Sequence, residues 1–232
     1  MKAILFAAAA LMMTACCQNQ APKEEPLAST PVVHGEVITL PAPDLTRGLN
    51  ISEALQNRRS WREYSVEKLS LEELSGVLWA AAGVNRPETG HLTAPSAIAL
   101  YPLTVYAFFE EGIYRYESKE HRLVRVKEGN FMAKSGAQPF VETAALNLVY
   151  VADMNTYEGR KMPVEKVKYL CGQDAAGYAE NVNLYTAGTG LKAITRGSDD
   201  LGKVHMSISH KGKMYHGFGA NTDIVTASVE AY

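Results

Sequence analysis

Cysteine is scarce and unevenly placed in this sequence. Only three of the 232 residues are cysteine, and two of them, Cys16 and Cys17, follow an apolar N-terminal stretch. Cys171 is therefore alone in the body of the chain, which excludes a disulfide framework there. Because its neighbours are largely apolar and the segment has a helical pattern, we expect a packed thiol rather than a reactive one.

An excess of charge is also lacking. The chain has 23 basic and 25 acidic residues, which gives a formal net charge of −2. No positive excess is present to attract nucleic acid or the surface of an anionic membrane. The hydrophobic fraction of 47% and the charged fraction of 21% are typical of a globular chain with a substantial core.

Long apolar runs are missing apart from residues 3–13, which are too few to span a bilayer as a helix. With Lys2 before it and the small residues of MTAC after it, this run predicts a signal peptide over residues 1–15. Cys16 directly follows these small residues, as the lipidated cysteine does in a bacterial lipobox. We therefore expect lipidation of Cys16 and a flexible tether at residues 16–31. The alternative is plain cleavage by signal peptidase. The lipobox interpretation predicts a protein of the bacterial cell envelope, on the periplasmic or the surface face, that touches the membrane only through its anchor.

Patterns for metal binding and nucleophilic catalysis are absent. His205, His210 and His216 are spaced by five and six residues, which does not fit a zinc-binding helix, so we predict no metal site. No GxSxG motif occurs. The stretch GTGLKA at residues 188–193 lacks the third glycine of a dinucleotide loop and follows a helical pattern instead of a strand.

Two short helices are predicted in the first third of the chain. The first has Ser52 as its N-cap, with Ile51 and Leu55 facing the core. The second begins with the capping box SLEE at residues 70–73 and carries an apolar stripe that ends at Gly83.

Later segments alternate between strand and helix patterns. Strands are predicted at residues 37–40, 101–109, 112–117, 121–126, 145–153, 191–195 and 213–219, with a polar or helical link between the last two. A long helix is predicted over residues 164–187, with closely spaced small residues that permit a near approach by another element. The mixture indicates an α+β fold with a mainly antiparallel central sheet flanked by helices, in one domain over residues 32–232.

The stretch RRSWREYS at residues 58–65 carries the densest cluster of arginines. In an extended segment alternate residues share a side, so Arg58, Ser60 and Arg62 point one way while Arg59 and Trp61 point the other. Guanidinium groups suit phosphate because they make bidentate contacts and stay charged. Taken alone, the stretch is either an anion site or a solvated loop.

Seven motifs in order resemble the FMN-dependent nitroreductase family, and within it the branch of thiazoline- and oxazoline-oxidising (azole-forming) dehydrogenases. They are ITLP (38–41), RRSWREY (58–64), LSLEELSGVLWAAAGVNRP (69–87), PSAIALYPLTVYAF (95–108), GIYRY (112–116), GQDAAGYAENVNLYTAGTGL (172–191) and ITRGSDD (194–200). The resemblance covers about residues 38–220 and implies a nitroreductase-like fold. It also implies a homodimer in which the long helix forms much of the interface.

The resemblance further implies FMN as the cofactor. The residues that it places at the phosphate and the flavin ring are Arg58, Arg59, Ser60, Arg62, Pro95, Ser96, Ala97, Thr195, Arg196 and Gly197. Pro95 to Ala97 would come from the other subunit. The implied chemistry is hydride transfer to or from the flavin N5, with an unidentified small molecule or peptide as substrate. Tyr101, and also His91 and Tyr185, are candidates for a proton donor or acceptor on the substrate side.

The chain departs from the family pattern in two places. Ala99 stands where many relatives have an asparagine, and the final ANTDIVTASVEAY contains no cation where commoner nitroreductases have a phosphate-binding pair. The phosphate is then left to Arg58 and Arg62, or to Lys211 and Lys213 if they reach it. The alternative function is a catalytically inactive lipoprotein of the same fold that binds a ligand or a partner.

Overall fold

The computed structural model describes residues 35–62, 64, 67–191, 202–210 and 213–221. The predicted signal peptide, the tether with Cys16, and the three candidates Thr195, Arg196 and Gly197 lie outside the described residues. Over the described part of the chain, no helix is both long enough and apolar enough to cross a membrane.

A seven-stranded sheet forms the centre of the molecule. Its strands are β1 (Val37–Thr39), β4 (Leu103–Phe109), β5 (Gly112–Glu117), β6 (Arg122–Glu128), β7 (Asn147–Asp153), β8 (Gly202–His210) and β9 (Lys213–Asn221). They lie in the order β1-β6-β5-β4-β7-β8-β9, and every neighbouring pair is antiparallel except β7 and β8. A separate two-stranded sheet pairs β2 (Val84–Arg86) with β3 (His91–Leu92). The predicted α+β fold with a mainly antiparallel sheet is confirmed.

Alternation of side chains along the central strands explains the hairpin. In β4 the buried residues are Val105, Ala107 and Phe109, and Phe109 pairs with Gly112 across the turn to β5. Tyr114 on β5 packs edge-on against Phe109, with ring centroids 5.7 Å apart. The period of two therefore directs one face of the sheet into the core, as the sequence pattern predicts.

The described residues form three α-helices: α1 (Ile51–Asn57), α2 (Leu71–Ala82) and α3 (Val164–Thr189). Residues of α2 and α3 share the core cluster of the sheet, and α1 packs on α3. The α3 helix connects β7 to the parallel strand β8, and it contacts both α1 and α2. Gly76 of α2 faces the ring of Tyr185 on α3, and a side chain at Gly76 would overlap the tyrosine hydroxyl. Small residues thus set the distance between the helices.

The predicted capping box of α2 is confirmed. Ser70 accepts a hydrogen bond from the Glu73 amide at 3.2 Å, and its own amide donates to the Glu73 carboxylate at 2.9 Å. Gly83 ends the helix, but its backbone is extended rather than left-handed. Glycine fits there because a Cβ atom would overlap the ring of Trp79.

Three local predictions were wrong. The N-cap of α1 is Asn50, whose side chain accepts from the Glu53 amide, and the buried residue of this helix is Ala54. Ile51 and Leu55 are 62% and 56% exposed instead of facing the core. The link predicted ahead of β9 also contains a full strand, β8.

A hydrogen-bonded chain ties three elements together near one edge of the sheet. The hydroxyl of Ser75 on α2 donates to the Pro41 carbonyl at 2.6 Å. It therefore accepts from Nε2 of His121, 2.7 Å away, in the turn between β5 and β6. The other ring nitrogen, Nδ1, accepts from the Tyr116 hydroxyl at 2.7 Å. This arrangement uses a neutral imidazole, and burial lowers the pKa of His121 accordingly.

Acid should destabilise the fold through His121. Because its pKa is lower in the folded than in the unfolded chain, its contribution is full above about pH 6.5 and is lost as pH falls from there through the folded pKa. His121→Asn should reduce the free energy of unfolding at about pH 7.5 by about 1–2 kcal/mol and flatten the profile between about pH 7.5 and 5. Asparagine tolerates the positive φ of 48° at this position. Urea unfolding at both pH values measures this, and an equal acid loss in both proteins would contradict it.

Candidate functional site

The arginine segment leaves the end of α1 as an extended chain. Arg58 is the C-cap, with φ −60° and ψ 124°, and its amide donates to the Ala54 carbonyl. Arg58, Arg59 and Ser60 are exposed, while Trp61 and Arg62 are half-buried. The segment is therefore accessible to a ligand and is anchored at its start by the helix.

Arg59 and Trp61 interact with each other, as the predicted alternation requires. The Arg59 guanidinium lies over the indole ring, 5.8 Å from the centroid. Within the described part of the chain, the Arg58 side chain has no ion-pair or hydrogen-bond partner. Arg59 is thus engaged on the indole, and Arg58 keeps its charge available for an anion.

Tyr64 supports the far end of this segment. Its hydroxyl lies 3.5 Å from the Trp61 carbonyl, and its ring packs against Phe140 at 6.0 Å between centroids. Burial raises the pKa of Tyr64, and the positive charge of Arg62 partly opposes that rise. A cation therefore remains close to the tyrosine.

The second group of predicted residues lies on the Ser96 loop, residues 95–101, which has unusual backbone angles. Pro95 is exposed, and Ser96 and Ala97 are half-buried. Directly after them, Ile98, Ala99 and Tyr101 have φ values of 51°, 55° and 49°. Left-handed angles are costly for residues with a Cβ, and most of all for a β-branched isoleucine. Such a loop persists only if its surroundings hold it.

Asp174 of α3 holds this loop. Its two carboxylate oxygens accept from the Ser96 hydroxyl at 2.6 Å and from the Ala97 amide at 3.0 Å. The Ser96 hydroxyl in turn accepts from the Tyr101 amide at 2.8 Å. Asp174 is only 5% exposed, and burial raises the pKa of its carboxyl while the two hydrogen bonds oppose that rise. Sequence reasoning missed this residue, although an aspartate among small residues on a buried helix face was a usable signal.

Other polar groups surround Asp174 in the core. Cys171 is fully buried, which raises the pKa of its thiol to about 12 and confirms the prediction of a packed thiol. The hydroxyls of Tyr157 and Tyr178 are buried, and neither has a hydrogen-bond partner among the described residues. Burial, with the nearby Asp174, raises the pKa of both tyrosines, that of Tyr157 to about 12. These groups stay protonated near neutral pH, so none of them is a ready base or nucleophile.

The candidates for proton transfer divide into two places. The His91 and Tyr101 rings lie 5.8 Å apart, and Tyr101 lines a groove of about 580 Å³. The charged residues that line this groove are Arg115, Glu117, Lys119, Glu120 and Arg122. Tyr185, by contrast, lies in the contact between α2 and α3, against Gly76. The structure therefore associates His91 and Tyr101 with the Ser96 loop and separates Tyr185 from it.

The predicted site has two parts, the arginine segment that follows α1 and the Ser96 loop. They are attached to α3 at different positions along the helix. The Leu49 amide donates to the Gly188 carbonyl at 2.9 Å, and Gly188 lies beside Ala54, which fixes α1 at the C-terminal end of α3. Asp174 holds the other half about 21 Å away along the helix axis, given a rise of 1.5 Å per residue. No group of three or more potential metal ligands occurs in the described ranges.

Comparison with known proteins identifies two matched regions. The model of the nitroreductase family matches residues 55–205. A protein of Methanocaldococcus jannaschii named as a nitroreductase is 31% identical over 174 residues, which cover 71% of this chain and 86% of that protein. A crystal structure of a protein from Ralstonia eutropha described as a nitroreductase is 37% identical, with a TM-score of 0.63, and the alignment covers 74% of this chain and 76% of the other.

The C-terminal region matches a second family. The model of the LeuA allosteric (dimerisation) domain matches residues 190–232. Over 42 residues the chain is 60% identical to 2-isopropylmalate synthase of Parabacteroides distasonis, a match that covers 18% of this chain and 8% of that enzyme. The two matched regions overlap at residues 190–205, which include Thr195, Arg196 and Gly197.

The nitroreductase match covers more than half of the chain and includes the arginine segment, the Ser96 loop and Asp174. The relatives from M. jannaschii and R. eutropha align over most of their own lengths. The chain belongs to the nitroreductase family.

Proposed function

We propose that this protein is an FMN-dependent oxidoreductase. The observation that carries the proposal is the arginine segment, in which Arg59 is stacked on Trp61 while Arg58 stays exposed and unpaired within the described residues. The membership of the nitroreductase family supports a flavin as the cofactor. The substrate class is a small molecule or a peptide, and the azole-forming branch remains a prediction from the sequence motifs.

The residues present fit FMN at both of its ends. Guanidinium forks at Arg58 and Arg62, with the Ser60 hydroxyl, supply donors for a phosphate group. The Ser96 loop offers a surface that is fixed before any ligand arrives, because Asp174 already holds it. When bound, FMN supplies hydride transfer at the N5 atom of its ring.

The chain's own residues then bind the cofactor and orient it towards the substrate. Arg58 and Arg62 hold the phosphate, and Pro95, Ser96 and Ala97 limit the position of the ring. Tyr101, adjacent to His91 at the groove, is placed to hold or move a proton on the substrate side. No other acid–base group is required, because the cofactor carries the bond-changing chemistry.

The groove beside Tyr101 is the proposed entry for the substrate. Its charges are mixed, since Glu117 lies between Arg115 and Arg122 and contacts them at 2.6 and 2.7 Å. Those hydrogen bonds lower the pKa of Glu117, so its carboxylate stays ionised. A groove lined by both signs of charge suits a polar substrate, such as a peptide, better than an apolar one.

A homodimer is part of the proposal. The arginine segment and the Ser96 loop attach to α3 at points about 21 Å apart, which favours a site that combines the arginine segment of one protomer with the Ser96 loop of the other. The apolar residues in and just before α1 are at least half exposed, and we propose that they form one patch: Leu45, Leu49, Ile51 and Leu55. Burial of this patch against a second copy explains why these side chains are not in the core.

One observation favours the alternative of an inactive protein that binds a ligand or partner. The C-terminal region, where commoner nitroreductases have cations, matches the LeuA domain instead and has no cation after residue 213. The retained arginine segment and Ser96 loop favour the enzyme. Flavin content distinguishes the two functions.

The first prediction concerns FMN. The protein from about residue 20 onwards should bind FMN and be yellow. Arg58→Ala and Arg62→Ala should each weaken FMN binding about tenfold to a hundredfold, because each removes charged hydrogen bonds to the phosphate. Binding of riboflavin, which has no phosphate, should change little. Fluorescence titration with both flavins measures this.

The control is Arg160→Ala, which removes an exposed arginine from the turn before α3. It should leave the affinity for FMN unchanged. A colourless protein that takes up no added FMN would rule out the enzyme and leave the binding protein as the function.

The second prediction concerns the dimer. Light scattering at micromolar concentration should give twice the mass of the chain. A double substitution, Ile51→Ser with Leu55→Ser, should shift the protein towards monomer and weaken FMN binding in parallel. Because both residues are exposed within one protomer, circular dichroism should show an unchanged fold. A monomeric wild-type protein that binds FMN fully would contradict the shared site.

The third prediction concerns the anchor, for which we propose a lipid on Cys16 in the cell envelope. Cys16→Ser should move the protein from the membrane fraction to the soluble fraction of a bacterial host. Mass spectrometry of the native N-terminus should show an acylated cysteine. An N-terminus that carries no acyl group would refute the anchor without affecting the proposed chemistry.

A further inference from the structure

Asp174 is a buried carboxylate, and both of its oxygens accept hydrogen bonds from the Ser96 loop. The loop's donors come from two consecutive residues, the hydroxyl of Ser96 and the amide of Ala97. Gly177, three positions further along α3, lies against Pro95, since a Cβ atom placed there would be 3.5 Å from the proline Cδ. One face of α3 therefore contacts all three residues from Pro95 to Ala97 in the Ser96 loop.

We propose that Asp174 is a positioning residue, which fixes Ser96 and Ala97 in the arrangement that receives the flavin ring. This inference rests on the proposed function. It adds Asp174, which contacts the Ser96 loop from α3 and is not part of the arginine segment. Its effect should therefore fall on the ring of the cofactor and not on its phosphate.

The backbone of the loop explains why such a residue is needed. Ile98, Ala99 and Tyr101 are all left-handed, and none of them is a glycine. Without an external restraint, the chain would relax towards ordinary backbone angles and move Ser96 and Ala97. Ionised oxygens bind N–H and O–H donors more strongly than neutral ones, so a carboxylate is well suited to hold this shape.

The restraint extends beyond the first two residues. The Ser96 hydroxyl donates a hydrogen bond to Asp174 and accepts one from the Tyr101 amide at 2.8 Å. Asp174 therefore acts through Ser96 on Tyr101, which lines the groove beside His91. The same carboxylate aligns the loop that faces the cofactor and the tyrosine that faces the substrate.

Asparagine cannot replace the aspartate in this arrangement. An amide has one acceptor oxygen, whereas the loop presents two donors, Ser96 O–H and Ala97 N–H. If the amide oxygen accepts from Ala97, its NH₂ group faces a serine oxygen that already accepts from Tyr101, and the serine proton loses its acceptor. Asp174→Asn keeps the shape of the side chain and so tests its charge and hydrogen bonds without a change of volume.

The experiment measures the affinities for FMN and riboflavin in the wild-type protein and in Asp174→Asn, with Asp153→Asn as the matched control. Asp153 caps the short 3₁₀ turn at residues 154–157 through the Asn155 amide and is exposed. Asp174→Asn should weaken the binding of both flavins by the same factor, tenfold or more. The control should weaken neither, and substitution of Arg58 or Arg62 should weaken FMN alone.

A second readout follows the loop in the protein without cofactor. Hydrogen exchange at the amides of Ala97 and Tyr101 should be at least tenfold faster in Asp174→Asn and unchanged in Asp153→Asn. If Asp174→Asn does not fold by circular dichroism, Ser96→Ala takes its place. That variant leaves the aspartate in contact with Ala97, removes the contact to Tyr101, and should also weaken both flavins equally.

The outcomes separate the two proposals. If the wild-type protein binds neither flavin, the proposed function fails, and the positioning role fails with it. If the wild-type protein binds both flavins and Asp174→Asn binds them within twofold of wild type, the positioning role alone is refuted. A loss confined to FMN would also refute it, because the effect would then lie at the phosphate.

Discussion

The packing of α3 is the constraint on which the rest of the structure depends. The helix runs for 26 residues, and a different element contacts it at each level. Asp174 holds the Ser96 loop, Tyr185 fits over Gly76 of α2, and Gly188 contacts α1. Each contact needs either a small residue that permits a near approach or a polar group with a partner. The Ser96 loop and the helix that leads into the arginine segment are therefore each attached at their own level along one helix.

Much of this fold could be predicted from local sequence, and the failures have physical causes. The Ser70–Glu73 capping box and the period of two in β4 and β5 depend on residues close in the chain. The orientation of α1 was wrong because a seven-residue helix has too few positions for its period to define a face. Asp174 was missed because its partner Ser96 is 78 residues away, so the local pattern of an aspartate among small residues could mark the residue but not its contact.

The C-terminal region gives a physical account of the departure from the family pattern. The nitroreductase match ends at residue 205, and the LeuA match begins at residue 190. Cations that bind phosphate in commoner nitroreductases would lie in a region that here resembles another family. In the proposed site, phosphate binding would depend more on Arg58 and Arg62, and Arg59 would contribute less because the indole of Trp61 engages it. The contact between Arg59 and Trp61 agrees with the predicted alternation, while the roles of Arg58 and Arg62 stay predictions.

Strain in the Ser96 loop bears on whether the protein is an enzyme or has lost catalysis. Left-handed angles at Ile98, Ala99 and Tyr101 each cost of order 1–3 kcal/mol, and burial of the Asp174 carboxylate adds a further cost. A single substitution would remove part of these costs, for instance glycine at Ala99, because glycine adopts left-handed angles freely. A protein that bound its partner through another surface would gain nothing from keeping them. Retained strain beside a preformed groove therefore supports a loop that still orients a cofactor, and it weighs against a fold kept only as a scaffold.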